Sequence, residues 1–150
     1  MSNFYTLDGA AFSSNRHNWE TPQKLFDELN SKYHFTLDPC ASGTNHKTSR
    51  YFTGEDNGLI QSWAGECVFC NPPYGRQIGK WVEKCHDESL QGTRICLLIP
   101  ARTDTAYFHD FIYNKSNTRI EFIRGRLKFE INGVPGNSSP FPSMLVFFNL

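Results

Sequence analysis

The residues with the clearest potential for chemistry form the segment Asn71-Pro72-Pro73-Tyr74. The Asn71 side chain carries a carbonyl acceptor, and Tyr74 carries a flat ring. The two prolines remove backbone donors and fix φ, so the Pro72 carbonyl can be held rigidly as a second acceptor. Two convergent acceptors beside a stacking surface suit a planar amino group. They would direct the nitrogen lone pair away from the ring to which that group is conjugated.

A nitrogen held in this way becomes a nucleophile, and its matching electrophile is a reactive methyl group such as that of S-adenosylmethionine. A chance match to these four residues in a chain of this length has a frequency on the order of one in a few thousand. The alternative interpretation is structural. It is a turn locked by proline after a strand, with Tyr74 packed on the core.

The elements around this segment favour a site. The compact apolar run at 66–70 predicts a buried strand before it, and Ile78, Trp81, Val82 and Cys85 recur after it at helical spacing, with Gly92 ending the helix. Ligands of open α/β sheets bind at the carboxyl ends of strands. The segment therefore stands where such a sheet would place a ligand.

The rest of the chain predicts a mixed architecture of helices and strands. A helix should begin at Thr21-Pro22, with Thr21 as its cap, and end near Asn30; a second should cover 104–113 with Asp104 as a possible cap. Strands are predicted at 35–37, 94–99, 120–123, 126–131 and 144–148, with a loop at 133–142 joining the last two. This order predicts an α/β fold, a mostly parallel sheet with an antiparallel hairpin at its C-terminal edge.

Length and composition set the remaining limits. The 150 residues predict a single domain at 19–150, preceded by an arm at 1–18. The net charge of zero argues against a binder of nucleic acid by charge alone, but residues 1–75 carry −3 and residues 76–150 carry +3. No apolar run approaches the roughly 18 residues of a membrane helix, and no secretory signal is visible, so the expected compartment is the cytoplasm.

Five segments in order carry a resemblance to a known family. They are Trp19-Glu20-Thr21-Pro22, Leu37-Asp38-Pro39-Cys40-Ala41, Asn71-Pro72-Pro73-Tyr74-Gly75, Leu98-Ile99-Pro100-Ala101-Arg102 and Gly125-Arg126-Leu127-Lys128-Phe129. Together they resemble the small, phage-type DNA N6-adenine methyltransferases of the Dam-like family, from about Trp19 to Phe148. If the chain is phage-encoded, its compartment would be the host cytoplasm.

The resemblance implies an abbreviated Rossmann-like fold that uses S-adenosylmethionine. Asn71 and the Pro72 carbonyl would hold the amino group of an adenine flipped out of double-stranded DNA. Tyr74, which follows Pro73 in the motif, would stack on that base. The residues implied to contact the cofactor are Trp19, Thr21, Pro22, Asp38, Pro39, Cys40, Ala41, Asp56 and Asn71. Only 33 positions separate Asp38 from Asn71, so the cofactor half must be abbreviated.

Basic residues and cysteines complete the candidates. DNA phosphates are expected to contact Arg76, Lys80, Arg102, Arg126 and Lys128. Cys67 and Cys70 could join Cys40 and His46 as zinc ligands, but positions three apart in a strand face opposite sides, so no metal site is expected. The alternatives for function are a methyltransferase of RNA or of protein glutamine, and a catalytically silent nucleic-acid-binding module.

Overall fold

The protein is described by a computed structural model that covers residues 19–150. Its α-helices are α1 (Gln23–Tyr33), α2 (Ile78–Ser89) and α3 (Ala106–Phe111), with a 3-10 turn at Gly58–Ile60. Its strands are β1 (Leu37–Asp38), β2 (Arg50–Tyr51), β3 (Cys67–Cys70), β4 (Arg94–Pro100), β5 (Thr118–Phe122), β6 (Glu130–Ile131), β7 (Val134–Pro135) and β8 (Ser143–Phe148). The arm predicted at 1–18 lies outside the described residues.

A six-stranded sheet in the order β2-β1-β3-β4-β8-β5 forms the centre of the fold. Strands β2, β1, β3 and β4 are parallel, and β8 is antiparallel to both β4 and β5. The prediction of an α/β fold with a mostly parallel sheet and an antiparallel C-terminal part is confirmed. The arrangement is the abbreviated Rossmann-like one that the resemblance implies.

The antiparallel part differs from the prediction in its details. The strand predicted at 126–131 is reduced to β6, and β8 pairs with β5 instead. β6 pairs with β7 across Asn132-Gly133, where both residues have positive φ (53° and 79°). Positive φ at both central positions defines the type I′ turn, for which Asn-Gly is the preferred sequence. The Asn132-Gly133 dipeptide is a sequence signal for a hairpin, and the prediction of a loop at 133–142 missed it.

Both predicted helix caps are wrong. Pro22, not Thr21, occupies the N-cap position of α1, and its side chain makes no capping hydrogen bond. Instead the Glu130 carboxylate of β6 accepts the first free N–H of α1, that of Gln23, at 3.1 Å. In α3 the cap is Thr105 rather than Asp104, with its hydroxyl accepting from the Phe108 N–H at 3.3 Å.

The core consists of two layers, one on each face of the sheet. One layer packs α2 and α3 against residues such as Cys70 and Leu97; the other is rich in phenylalanine and packs α1 against residues such as Cys67 and Leu98. Cys67 and Cys70 therefore face opposite sides, as the strand geometry predicts. From Ile95 to its end β4 is buried on both faces, which also confirms the prediction for this strand. Within residues 19–150, none of the helices has the length and apolar character needed to cross a bilayer.

Candidate active site

The carboxyl ends of the four parallel strands meet at one edge of the sheet. Asp38 ends β1, Asn71 follows β3 and Arg102 follows β4 by two residues. This common edge brings together groups that lie far apart in the chain. It is also the edge at which open α/β sheets bind ligands.

The Asn71 amide is held at three points. Its Nδ2 donates to the Trp19 carbonyl oxygen and to the Thr21 Oγ1, each at 3.0 Å. Its Oδ1 accepts from the Tyr74 hydroxyl at 2.8 Å. The amide therefore connects the end of β3 with the segment that precedes α1.

One of these contacts sets the orientation of the amide. A backbone carbonyl can only accept hydrogen bonds, so the Trp19 oxygen requires the Nδ2 group on its side. Both Asn71 N–H groups then have partners within the protein. Towards a ligand, Asn71 presents only the remaining lone pair of its Oδ1, and the group is an acceptor.

Tyr74 lies in an aromatic cluster. Its ring meets the rings of Trp19, Phe129 and Phe141 edge-on, with centroids 6.0, 6.0 and 5.6 Å away. Burial raises the pKa of the Tyr74 phenol well above 10, and the charges that Cys70, Cys40 and Tyr107 would carry act in the same direction. The hydroxyl is therefore protonated at neutral pH and acts as a donor to Asn71.

Two cavities lie along the Asn71-Pro72-Pro73-Tyr74 segment. The first encloses about 340 Å³ beside residues 71–73. Most of the residues implied to contact a cofactor line it, namely Trp19, Thr21, Asp38, Pro39, Cys40, Ala41 and Asn71. The structure thus assembles these predicted residues around one space.

The second cavity encloses about 520 Å³ beside residues 74–75. Four of its ten lining residues are aromatic, namely Trp19, Tyr74, Tyr107 and Phe141, and Arg102 contributes a cation. Trp19 lines both cavities and stacks on Phe141 at 5.1 Å. Residues 71–73 of the segment therefore line the first cavity, and Tyr74 lines the second.

Asp38 organises the loop that forms the wall of the first cavity. Its Oδ1 accepts the Cys40 N–H at 3.2 Å and its Oδ2 accepts the Lys47 N–H at 3.0 Å. Burial raises the pKa of the Asp38 carboxyl, and these two backbone N–H groups oppose the rise. A carboxylate offers about four acceptor positions, and these two N–H groups occupy two of those of Asp38, which lines the cavity.

Two residues implied for cofactor contact lie outside the lining of this cavity. Pro22 occupies the start of α1. Asp56 is exposed, and its Oδ2 accepts from the backbone N–H and the hydroxyl of Thr53, at 2.9 and 3.1 Å. For both residues, cofactor binding stays a prediction.

The lining also includes residues that sequence reasoning missed, among them Asn45, Lys47, Gly58 and Trp81. Only Gly58 carried a signal, as a glycine beside the predicted Asp56. A Cβ on Gly58 would lie 2.4 Å from the Pro39 carbonyl oxygen and 3.0 Å from the Trp81 ring. This close approach requires glycine, and it keeps Pro39 in the cavity wall.

The β6–β7 hairpin holds the segment that carries Trp19 and Thr21. Glu20 and Glu130 form a two-way backbone bridge, with N–H to O distances of 3.0 and 2.9 Å. The buried Glu20 carboxylate accepts the Asn132 and Gly133 N–H groups of the hairpin turn, each at 3.0 Å. Glu20 looked like a surface charge in the sequence because its partners lie more than a hundred positions away.

The predicted DNA contacts are all exposed. They are Arg76, Lys80, Arg102, Arg126 and Lys128. Within residues 19–150 none of the five joins an ion pair, and Arg126 donates to the Ser139 carbonyl at 3.3 Å. Their contact with DNA stays a prediction.

No cluster of three or more metal-ligating side chains occurs in the part of the chain that the structure describes. The Sγ atoms of Cys40 and Cys70 are 3.6 Å apart, and all five cysteines are free thiols. Burial raises the pKa of both thiols. Cys70 packs as a small buried group of the core, and the partly buried Cys40 packs against it.

Comparison with known proteins gives the family. No curated protein matches the chain. The model of the DNA N-6-adenine-methyltransferase (Dam) family matches residues 9–149, which is nearly the whole chain. The chain therefore belongs to the Dam family of DNA N-6-adenine-methyltransferases.

Proposed function

We propose that this protein transfers a methyl group from S-adenosylmethionine to the N6 amino group of an adenine flipped out of double-stranded DNA. The observation that carries the proposal is the Asn71 amide, which has both N–H groups bonded within the protein and lines the first cavity, three residues before Tyr74 in the wall of the second. An amide so held accepts from a substrate N–H and cannot donate to a substrate carbonyl. This polarity favours an amino group as the acceptor of the methyl.

The first cavity fits the cofactor. Its volume of about 340 Å³ is within the range of small-molecule sites, roughly 300–1,000 Å³. Asp38 brings negative charge to one wall, and Trp19 and Trp81 bring flat apolar surfaces. When bound there, the cofactor would supply a methyl group already activated by its positively charged sulfur.

The residues of the segment would then act on the adenine amine. Oδ1 of Asn71 would accept one N–H of that amine through its remaining lone pair. The Pro72 carbonyl, which accepts no hydrogen bond from the described residues, is available to accept the other. Both hydrogen bonds would strengthen as positive charge develops on the nitrogen, which would lower the barrier to methyl transfer.

The second cavity suits the base. An enzyme that modifies a base within a duplex must extrude it from the stack. The aromatic walls of this cavity offer stacking surfaces, and Arg102 is a cation beside them for a flanking phosphate. These features favour a nucleobase over a glutamine side chain as the substrate.

The test is product identification. The protein is incubated with methyl-labelled S-adenosylmethionine and, separately, with adenine-containing duplex DNA, a duplex of only G·C pairs, RNA and a glutamine-containing peptide. We expect label only in the adenine-containing duplex, recovered as N6-methyladenine after digestion. Label in RNA or peptide would replace the proposed substrate, and no label in any pool would support a silent binding module.

A further inference from the structure

We propose that Thr21 is a positioning residue that, together with the Trp19 carbonyl, holds the Asn71 amide in the orientation that leaves its Oδ1 available to the reacting amine. The inference rests on the proposed function, because the orientation of the amide matters only if Asn71 accepts from an amino group. It assigns Thr21 a role separate from the cofactor contact implied by its position in the first cavity.

The first argument is that the hydroxyl of Thr21 serves Asn71. Sequence reasoning assigned this hydroxyl to the cap of α1, but Pro22 offers no N–H and the Gln23 N–H is accepted by Glu130. Among the described residues, the hydrogen bond of Thr21 Oγ1 is the one with Asn71 Nδ2, at 3.0 Å. Thr21 is only 2% exposed, so water offers little competition for its hydroxyl.

The second argument is that Thr21 completes the restraint. The Trp19 carbonyl accepts one Nδ2 hydrogen and leaves the other to Thr21. Without the threonine oxygen, one N–H of a partly buried amide would have no partner in the protein. An unpaired buried donor is costly, so the amide would tilt towards another acceptor. The substrate side of the site would then face a misaligned Oδ1 or a free N–H.

The third argument is that the acceptors themselves are firmly held. The backbone bridge of Glu20 with Glu130 lies between Trp19 and Thr21 in the chain. The Glu20 carboxylate anchors the same segment to the hairpin turn. The Trp19 carbonyl oxygen and the Thr21 hydroxyl therefore have little freedom to move, so the Asn71 amide must take the orientation that reaches both.

The experiment compares three variants with the parent protein. Thr21→Val keeps the shape and removes the acceptor, Thr21→Ser keeps the acceptor, and Thr93→Val is the matched control. Thr93 is also buried, at 3% exposed, and its hydroxyl has no hydrogen-bond partner among the described residues. Thermal melting establishes that each variant is folded.

We expect Thr21→Val to lower kcat roughly 10- to 100-fold, the scale of a misplaced reacting group, with the affinity for S-adenosylmethionine unchanged. Thr21→Ser should recover most of the lost kcat, and Thr93→Val should match the parent. A folded Thr21→Val with the parent's kcat overturns the proposal. So does a loss of cofactor affinity with kcat at saturation unchanged, which would make Thr21 a cofactor contact.

A second readout is independent of activity. In ligand-free protein labelled with ¹⁵N-asparagine, the Asn71 side-chain NH₂ signals are assigned through their loss in Asn71→Ala. They should shift and exchange faster with solvent in Thr21→Val, return in Thr21→Ser and stay unchanged in Thr93→Val. If the parent protein methylates no adenine, the proposed function is refuted, but the NMR signals still decide whether Thr21 holds the Asn71 amide. Unchanged signals in Thr21→Val overturn the inference.

Discussion

Asn71 shows how much of the proposed chemistry depends on one side chain. Its amide bonds to residues fifty positions earlier and three positions later, through contacts of 2.8–3.0 Å. It therefore couples the wall of the first cavity to the ring that lines the second. A change at Asn71 should affect the reaction without removing either cavity.

We expect Asn71→Ala to lower kcat about 10²- to 10³-fold, as the loss of one preorganised hydrogen-bonding group does in other enzymes. Affinity for S-adenosylmethionine should be largely kept, because the acceptor matters most as charge develops on the amine. Steady-state kinetics and calorimetry on a variant with a cooperative melt test this. A native rate in that variant would leave the proline-locked turn as the better interpretation of the segment.

Tyr74 has two separable functions. The sequence predicts a mild effect for Tyr74→Phe because it shows no partner for the hydroxyl, but in the structure that hydroxyl lies 2.8 Å from Asn71 Oδ1 and 3.3 Å from the Leu98 carbonyl oxygen. The bond is worth about 0.5–1.5 kcal/mol, so Tyr74→Phe should lower kcat roughly 2- to 10-fold.

In contrast, Tyr74→Ala should weaken capture of the base by roughly 1–3 kcal/mol, the value of one stacking face. Kinetics on adenine duplexes measure both variants. Equal losses in Tyr74→Phe and Tyr74→Ala would show that the ring adds nothing.

Asp38 predicts a pH dependence of cofactor binding. Burial raises the pKa of this carboxyl, so on acidification it becomes neutral at a higher pH than a free aspartate does. The negative charge is present above that pKa and lost below it. Affinity for the cationic cofactor should therefore fall as the pH drops through the raised pKa.

Calorimetry across the acid range, with Asp38→Asn as the comparison, checks this prediction. His46 and Lys47 also act on Asp38 and remain in both proteins. An identical pH profile for parent and Asp38→Asn would remove Asp38 from the binding of the cofactor.

At the scale of the elements, the β6–β7 hairpin connects the C-terminal half of the chain to the site. Glu20→Gln keeps the size of the side chain but leaves one acceptor oxygen for two N–H groups. We expect a loss of roughly 1.5–3 kcal/mol in unfolding free energy, the scale of a hydrogen bond to a charged group. The Asn132 and Gly133 amides should exchange faster.

Denaturant unfolding and hydrogen exchange measure these effects. Glu28→Gln, on the exposed side of α1, is the control and should change neither. Unchanged exchange at Asn132 and Gly133 in Glu20→Gln would show that the backbone bridge alone holds the hairpin.

The elements also show what the sequence could and could not predict. Buried strands such as β3 and β4 are continuous apolar runs, so their pattern is local and was predicted correctly. Residues 126–131 also have a strand-like pattern, but only the last two are paired as a strand. The carbonyls of Leu127 and Phe129 instead accept from Ser139 and Gly136, which no local pattern reveals.

Contacts between segments far apart in the sequence also limit what can be predicted about the site. The motif and nine of the nineteen residues that line the first cavity were predicted from the sequence, through the motif itself and the family resemblance. The partners of Glu20 and Thr21 could not, because those contacts join segments 50 to 113 positions apart. From the sequence, Glu20 looked like a surface charge and Thr21 like the cap of α1, because both are common roles that need only nearby residues.

At the scale of the whole molecule, the part of the chain between Asp38 and Asn71 is short, as the spacing of these residues predicts. β1 and β2 are parallel but have two residues each, and residues 39–49 join them without a helix. Parallel strands are usually joined by a helical crossover. Here the connecting loop is the wall of the first cavity, and Asp38 holds it through Cys40 and Lys47.

The distribution of charge over the whole molecule gives the last prediction. The chain is neutral, but its second half carries +3, and Arg102 lies at the carboxyl edge of the sheet beside the second cavity. A cation that contacts a phosphate releases counterions on binding, so each such contact adds about 0.9 to the slope of log affinity against log salt.

We expect the affinity for adenine-containing duplex DNA to fall as salt rises, and Arg102→Ala to make the slope shallower by about one. The matched control is Arg94→Ala. Arg94 is also exposed, but it begins β4 at the opposite edge of the sheet, roughly 20 Å from the end of that strand at about 3.3 Å per residue. Fluorescence anisotropy at several salt concentrations measures all three proteins. Equal slopes for the parent and Arg102→Ala would remove Arg102 from the interface, and a salt-independent affinity of the parent would point to a substrate without a phosphate backbone.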